Sequence, residues 1–430
     1  MNPSLAIFRL CPLVALFLPF ALRAQPLPDT GAPFTLGALV GEISTHNPEL
    51  KFYEAEIAAA KAGARSSASL SNPELALDLG HKRVRDAGGA SLGDGTAWSV
   101  SVTQTFDWPG RLALRKAIAN RDVALAELGL ARFQNALAAR ARLLGYSLYA
   151  ASEKAAAIRE VADRFSALKE TFLAREPAGV TPLLETRVIE ASELALQRRA
   201  SEAELALQTA LIELNQLRGV SASSPLLVVP AVLELNDAPA TATLLAAATE
   251  NNFDYRMKQV ELEQQGFAVQ LARNERYPSI SVSPYYSSAK AGDRETIAGI
   301  GLSIPFPVTG RSRGAVAVAG ARQRQAETAA LVAQRELERD VWVAATTYST
   351  KLAETRRWSH DAAQKFREAA ELADRHYRLG AVPIATYVEL QTSYLDAVEA
   401  LLATQSEALA AGLKLQQLTG LDFKAAEVSS

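Results

Sequence analysis

A long stretch without proline restricts most strongly what this chain can fold into. From Gly110 to Glu176 the residues are mostly Ala, Leu, Arg, Glu, Lys and Gln, which have high helix propensity. A helix of about 65 residues is roughly 100 Å long, several times the width of a globular domain. The apolar positions drift between periods of 3.5 and 3.6 without a continuous leucine seam. This pattern favours a helical tube over a simple two-stranded coiled coil.

The same stretch is the first half of a predicted helical hairpin. Pro177, Gly179 and Pro182 end it, and a second stretch without proline runs from Leu183 to Ser224. The turn has a counterpart in YRLGAVPIATYVELQTS at 377–393, where Gly380 and Pro383 match Gly179 and Pro182.

The repetition extends over the whole chain. Residues 46–79 align with 251–284 at an offset of 205, and TFDWPGRLALRKA at 105–117 matches SIPFPVTGRSRGA at 303–315, with the corner offset by 200. The five-residue difference falls in HKRVRDAGGASLGDGT and SSAKAGDRET, which have the composition of loops. The chain is therefore predicted to be an internal duplication.

Each repeat also contains a pair of predicted strands. Leu75, Leu77 and Leu79 alternate with small or polar residues, and the same period of two recurs around Val100, Val282 and Leu302. One apolar face and one polar face over about ten residues are typical of a membrane β-barrel with lipid outside and water inside. Trp98, Trp108, Tyr285 and Tyr286 fall near strand ends, where aromatic belts lie. The alternative, a soluble sandwich hairpin, leaves most of the helical residues unexplained.

Four strands are too few to close a membrane barrel, since unpaired edges inside lipid are costly and the smallest barrels have about eight strands. Two subunits would give a filled eight-stranded barrel, and three would give twelve strands with room for a channel. The predicted fold is therefore mainly α with membrane β: a trimeric 12-strand outer-membrane β-barrel, four strands per subunit, continued by a long periplasmic α-helical barrel. The strand-to-helix corners are assigned to Phe106, Gly110, Arg111, Phe306, Gly310 and Arg311.

The first residues have the layout of a secretory signal. Arg9 precedes the apolar run CPLVALFLPFAL, and small or apolar residues at Leu22 and Ala24 predict cleavage before Gln25. Cys11 lies at the start of that run, so we expect a mature protein without cysteine or lipid anchor. The whole chain has a net charge of −2, and removal of Arg9 and Arg23 leaves 43 basic against 47 acidic residues, or −4. This balance gives no support to nucleic-acid binding.

The sequence offers little to catalysis or metal binding. GASLG at 89–93 matches a hydrolase nucleophile elbow, but a predicted strand and not a helix follows it, so Ser91 is interpreted as a loop serine. His46, His81, His360 and His376 lack the spacing of a zinc site. We expect no enzyme activity, no cofactor and no bound metal.

Taken together, the NPEL opening, the doubled strand pair, the FxxxGR corners and the GxxP hairpin turns resemble the TolC family of trimeric outer-membrane efflux proteins. The resemblance covers roughly residues 36–420, and TFDWPGRLALRKA is more similar to the heavy-metal (CzcC-like) members. It implies an outer-membrane barrel, a tunnel across the periplasm, and docking to a periplasmic membrane-fusion adaptor and an inner-membrane transporter, with the RND type expected. Many relatives carry a lipid-bearing cysteine that this chain lacks.

By helix rise the hairpin turns lie about 100 Å from the strands, at the periplasmic mouth. We expect a ring of weak ion pairs to close this mouth when no pump is attached. The gate residues assigned are Arg175, Glu176, Glu185, Arg187, Glu190, Arg375, Tyr377, Arg378 and Glu389. The turns expected to contact the adaptor are at Gly179, Val180, Gly380 and Ala381.

The predicted function is a passive exit duct of a tripartite efflux system, with heavy-metal cations as one possible cargo. The alternative is a periplasmic helical scaffold or adaptor without a membrane barrel.

The predicted boundaries are a signal peptide at 1–24, a first repeat at 25–220, a linker at 221–239, a second repeat at 240–420 and a tail at 421–430. The first repeat is predicted to contain strands at about 74–84 and 97–106 and a helical hairpin at about 111–218. The second is predicted to contain strands at about 278–287 and 296–306 and a helical hairpin at about 311–417.

Overall fold

The computed structural model describes residues 34–175, 183–228, 232–306, 311–358, 362–422 and 427–429. The predicted signal peptide lies outside the described residues. The first repeat comprises α1 (Leu36–His46), α2 (Leu50–Ser67), β1 (Glu74–Arg85), β2 (Ser91–Phe106), α3 (Arg111–Arg175) and α4 (Leu183–Arg218). The long helix therefore has 65 residues, and its hairpin partner begins just after the predicted turn.

The second repeat has the same order of elements. After a short strand β3 (Val232–Glu234) come α5 (Thr241–Asn251), α6 (Phe253–Asn274), β4 (Ile280–Ala291), β5 (Asp293–Ser303), α7 (Arg311–Arg357), α8 (Ala362–Arg378) and α9 (Ile384–Thr419), and β6 (Glu427–Ser429) pairs with β3.

A pair of asparagines marks the duplication in atomic detail. The Asn47 side chain donates to the carbonyl of Leu217 at 2.9 Å, and the Asn252 side chain donates to that of Leu418 at 3.1 Å. In each repeat the asparagine fixes the junction of two short helices against the end of the long hairpin, so the repeats share the same internal packing.

The four long strands form one antiparallel sheet in the order β1-β2-β4-β5. The two repeats meet at its centre, where Phe106 lies opposite Ile280 and Val100 opposite Tyr286. Among the described residues β1 and β5 each pair with one strand only, so both edges of the sheet are open.

Each strand continues into a helix, and the helices pack in the same order as the strands. The Tyr53 ring of α2 stacks on Phe133 of α3 at 4.6 Å, and Arg121 of α3 forms an ion pair with Glu263 of α6 at 3.1 Å. α6 in turn packs against α7. The result is a wall of four units that lie side by side, each of which is part strand and part helix.

Far from the sheet, the helical hairpins pack together around a core. The core residues come from α3, α4, α8 and α9 and include Phe165, Ile189, Tyr387 and Leu395. These side chains are almost fully buried, so the two hairpins pack together as one unit at the end that is far from the sheet.

Two sequence expectations differ from the structure. The segments HKRVRDAGGASLGDGT at 81–96 and SSAKAGDRET at 287–296 were expected to be loops, but β1 continues to Arg85, β2 begins at Ser91, β4 continues to Ala291 and β5 begins at Asp293. Backbone pairing continues through these polar residues because a strand in water needs no apolar face. Consequently Ser91 is a strand residue and not a loop residue.

The second hairpin is also not a continuous pair of helices over 311–417. α7 ends at Arg357 and α8 begins at Ala362. Residues 359–361 between them lie outside the described residues. The sequence from Arg311 to Arg378 contains no proline, so no helix end was predicted at Arg357.

Candidate functional site: a two-faced sheet, a buried corner and the hairpin turn

The sheet separates apolar from polar side chains as the strand periodicity predicted. Leu75, Leu77 and Leu79 of β1 lie opposite Val102, Val100 and Trp98 of β2, and on the far side Val282 lies opposite Leu302. All of these residues share one face. Leu79 is 88% exposed in the single chain, so this face presents large apolar side chains with no protein cover.

The opposite face carries a network of hydroxyl groups. The Ser99 hydroxyl donates to the Asp78 carboxylate at 2.8 Å, and the Thr103 and Ser283 hydroxyls lie 2.8 Å apart. The Thr105 and Ser281 hydroxyls form a third such pair at 2.9 Å. A face of this kind fits water and not lipid.

The aromatic residues divide between the two faces, which corrects one expectation. Trp98 and Tyr286 contact each other on the apolar face, with ring centroids 5.5 Å apart. Tyr285 was also expected in a lipid-facing belt, but its ring covers Gly299 on the polar face, where a Cβ would collide with it. Adjacent residues of a strand point to opposite faces, so only one of the two tyrosines can face lipid.

The tip of the second strand hairpin folds over the polar face of β2. A Cβ on Gly93 or Gly95 would overlap the backbone of Ala291 or Lys290, so both positions require glycine. Lys82 of β1 reaches across β2 to form an ion pair with Glu295 of β5. The outer end of the polar face is thereby partly covered.

At the other end of the sheet, the corner residue Arg111 is 95% buried and connects the two repeats. Its guanidinium donates to the Asp107 carboxylate at 3.1 Å, the Ser279 hydroxyl at 2.8 Å and the Tyr277 carbonyl at 2.7 Å. It also donates to the side chain and the carbonyl of Asn274, the last residue of α6. A cation at the end of α6 complements the helix dipole there.

The rest of this corner follows from its own residues. Gly110 has φ of +86°, a conformation that residues with a Cβ rarely adopt. The Trp108 ring stacks on Tyr277 at 4.9 Å, so it belongs to the corner and not to an isolated aromatic belt. In the second corner Phe306 is exposed, whereas Gly310 and the side chain of Arg311 lie outside the described residues.

At the hairpin end, the described turn is the one after α8. The Gly380 amide donates to the carbonyl of Tyr377, and the Ala381 amide donates to that of His376, each at 2.9 Å. With φ of +73° at Gly380, this is a Schellman motif. Leu379 beside it is 80% exposed. Gly179, Val180, Glu176 and the side chain of Arg175 lie outside the described residues.

Within one chain the predicted gate residues mostly pair inside their own helices. Arg187 contacts Glu190 at 2.6 Å, and Arg378 contacts Asp374 at 2.9 Å. Between the two hairpins, the Tyr377 hydroxyl donates to the Glu185 carboxylate at 3.4 Å, and both are predicted gate residues. Arg375 and Glu389 complete the predicted set, and the structure brings neither into an ion pair among the described residues.

A larger set of charged residues joins the two hairpins closer to the sheet than the hairpin turns, and the sequence did not single it out. Arg164 of α3 contacts Glu160 at 2.5 Å and Glu371 of α8 at 3.7 Å, and Arg367 of α8 contacts Glu160 at 3.3 Å. Nearby, burial raises the pKa of Tyr387 well above its ordinary value. An arginine and a glutamate four residues apart on each of two predicted helices were the available signal.

The described residues contain no cluster of side chains that could hold a metal ion. None of the described helices is long and apolar enough to cross a membrane. His81 forms an ion pair with Asp94 on the strand hairpin, and His46 bonds within its own helix.

Comparison with known proteins finds a family model that matches the second repeat. Residues 244–421, nearly all of that repeat, match the model of the outer membrane efflux protein family. The first repeat has the same strand pair and long helical hairpin, although the family model does not extend over it. The resemblance inferred from the doubled motifs is confirmed.

Solved structures share the fold over most of the chain. A membrane protein from Pseudomonas aeruginosa is 21% identical with a TM-score of 0.74, and the match covers 90% of this chain and 93% of that one. The CmeC outer membrane channel of Campylobacter jejuni is 16% identical with a TM-score of 0.73, covering 90% and 85%. CusC, whose structures concern transmembrane channel formation, is 15% identical with a TM-score of 0.71, covering 90% and 92%. A search of curated protein sequences finds no match.

Proposed function

We propose that three copies of this chain form the outer-membrane exit duct of a tripartite efflux system. One observation carries the proposal. A four-stranded sheet with one apolar and one polar face continues, strand by strand, into a wall of helices. Such a sheet must close on copies of itself to span lipid, because its two edges would otherwise leave backbone groups unpaired. Three copies give twelve strands, enough to leave a water-filled interior.

This reading is supported over the periplasmic scaffold by the apolar face of the sheet. A scaffold in water has no use for an uncovered row of leucines such as Leu75, Leu77 and Leu79, whereas a barrel buries the row in lipid. The family is one of efflux proteins and not of enzymes, in agreement with the expectation of no catalysis.

The direction of the chain in the membrane is tested by epitope accessibility. The turn at Gly89 is exposed between β1 and β2, so a tag there should be reachable on intact cells, and the protein should fractionate with the outer membrane. As the matched control, a tag at Gly380 should be reached only after the outer membrane is broken. The opposite accessibility would invert the topology, and absence from the membrane fraction would refute the duct.

The similarity of TFDWPGRLALRKA to the heavy-metal members predicts metal cations as the cargo, with organic solutes and proteins as the alternatives. We propose that a periplasmic adaptor contacts the hairpin turns, including Gly179, Val180, Gly380 and Ala381. The exposed Leu379 adds an apolar contact there that the sequence analysis did not identify. We also propose cleavage of the signal peptide, no lipid anchor and an inner-membrane transporter of the RND type.

The periplasmic end is proposed to be closed by weak polar contacts. Arg187 and Arg378 are on the exposed side of their helices, where they can reach a neighbouring subunit. An exposed ion pair contributes about 0.2–1 kcal/mol, which corresponds to a factor of about 1.4–5 in the ratio of open to closed channels. Arg187→Ala combined with Arg378→Ala should therefore leave trimers intact and raise the conductance in planar bilayers.

The control for the gate is Arg198→Ala. Arg198 pairs with Glu202 on the same helix, is similarly exposed and lies about three turns beyond Arg187, farther from the mouth. If the double variant conducts no more than Arg198→Ala, the two arginines do not hold the gate.

A further inference from the structure

The second repeat contains a groove at a place that the first repeat fills with a side chain. The groove lies between α7 and the segment that leads into α5, and its volume is about 490 Å³. In the first repeat Leu36 of α1 is buried against Gly145 of α3, where a Cβ would lie 2.5 Å from the Leu36 Cδ1 atom. The equivalent residues of the second repeat, at the offsets of 205 and 200, are Thr241 and Ala345, and both line the groove. A smaller side chain now faces a larger one, so the two helices leave a space between them.

One wall of the groove is an aromatic ring beside a row of hydroxyl groups. Trp342 of α7 is 55% exposed and stands at the position of Arg142 in the first repeat. Thr346 and Ser349 follow it along the same side of the helix, and Thr241 lines the groove from α5. An exposed indole with hydrogen-bonding groups next to it offers an apolar plane with a polar rim. Such a surface suits the face of a sugar ring.

The other end of the groove has an excess of positive charge. Arg356 and Arg357 line it, and their equivalents in the first repeat are Ala156 and Ala157. Arg356 forms an ion pair with Asp237 at 2.9 Å, whereas Arg357 forms none among the described residues. One carboxylate therefore faces two guanidinium groups, which is an arrangement that can bind a further carboxylate from outside the chain.

We propose that this groove binds peptidoglycan, a polymer of acetylated amino sugars that carries carboxylates on its muramic acid units and peptide stems. The inference rests on the proposed duct, because a tube of helices about 100 Å long has to pass through the cell wall beneath the outer membrane. By helix rise the groove lies about 45–70 Å from the start of α7, roughly halfway along this tube. The layer that contains α5 lies outside the tube, since the interior of a conduit stays open. Trp342 stacks on a sugar ring, and Arg357 with Arg356 binds the carboxylates.

Co-sedimentation with purified sacculi tests the site. Trimers of the full chain, purified in detergent from the outer membrane, should sediment with the sacculi. Trp342→Ala or Arg357→Ala should lower the affinity roughly tenfold, as expected when a central Trp or Arg contact is removed. The matched control is Arg335→Ala, which removes an exposed arginine of α7 outside the groove and should bind as the wild type does.

A second variant closes the groove and keeps the indole and both arginines. Thr241→Leu combined with Ala345→Gly reproduces the packing of Leu36 on Gly145 in the first repeat. Its trimers should form normally and no longer sediment with sacculi. A soluble disaccharide that carries its peptide stem should displace wild-type trimers from sacculi. A chitin oligosaccharide, which has acetylated amino sugars without carboxylates, should not displace them at the same concentration.

The outcomes separate this site from the duct itself. Wild-type trimers that do not sediment with sacculi, or groove variants that sediment as well as Arg335→Ala, would overturn the site and leave the duct in place. Equal displacement by the chitin oligosaccharide would overturn the recognition of carboxylates by the arginines. Failure to recover the wild-type chain from the outer membrane would instead refute the proposed function.

Discussion

Val100→Arg should abolish trimers in the outer membrane, whereas Ser101→Arg should leave them intact. Val100 lies between Leu77 and Tyr286 on the apolar face of the sheet, and Ser101 lies on the hydroxyl face. An arginine facing lipid near the bilayer midplane costs about 2–4 kcal/mol in a β-barrel, and a trimer would carry three of them. The same arginine in a water-filled interior keeps its hydration.

A second pair of variants repeats the comparison on β5. Leu302→Arg should prevent assembly, and Gly301→Arg should not, because a Cβ at Gly301 meets only ordinary contacts with Ser283. Gly299 is unsuitable as a control, since the Tyr285 ring occupies the space that its side chain would need. Outer-membrane fractions are compared on gels with and without heating. Equal tolerance of arginine at Val100 and Ser101 would contradict the assignment of the two faces.

The segregation of faces could be read from the sequence because it depends on local periodicity. Side chains of a strand alternate by geometry, so Leu75, Leu77 and Leu79 had to share a face whatever their partners. The long helices could be predicted from the sequence equally well, since 65 residues of high helix propensity without proline favour a helix over other conformations. The duplication then predicted that both features occur twice.

What the sequence could not provide depends on contacts between distant residues. Arg111 was assigned to a corner, but its bonds to Asn274, Tyr277 and Ser279 require knowing that the two repeats meet at β2 and β4. The order β1-β2-β4-β5 is a tertiary property, and no local pattern distinguishes it from other orders. The predicted gate residues Arg187 and Arg378 pair inside their own helices in one chain for a related reason. A glutamate three or four residues away on the same helix, such as Glu190 for Arg187, is closer than any partner on another helix.

Loops and the helix break show a different limit. Glycine and charged residues near Gly93 and Lys290 have the composition of loops, yet backbone pairing extends the strands through them. Composition reports which residues prefer water, and it does not report whether the backbone is paired. The end of α7 at Arg357 is not marked by proline or glycine, so no sequence signal predicted it.

Arg111→Met should destabilise the trimer more than any other single change at the corner. The side chain is 95% buried, and its loss leaves the Ser279 hydroxyl and the carbonyls of Asn274 and Tyr277 without their donor. Breaking a buried, hydrogen-bonded charge pair costs about 3–5 kcal/mol. The Asp107 carboxylate keeps one partner, because Arg115 contacts it at 2.7 Å. We therefore expect a loss near the lower end, about 3 kcal/mol per subunit.

Two further variants separate the geometry of Arg111 from its charge. Arg111→Lys keeps the cation but cannot reach acceptors on both sides of the corner, so it should lower the dissociation temperature by an intermediate amount. Arg115→Met removes only the half-exposed partner of Asp107 and should cost no more than about 1 kcal/mol. The expected order of trimer dissociation temperatures in detergent is wild type, Arg115→Met, Arg111→Lys and Arg111→Met. If Arg111→Met and Arg115→Met dissociate at the same temperature, the corner is held by packing of Trp108 on Tyr277 and not by the guanidinium, because only the loss of Arg111 removes the bonds between the repeats.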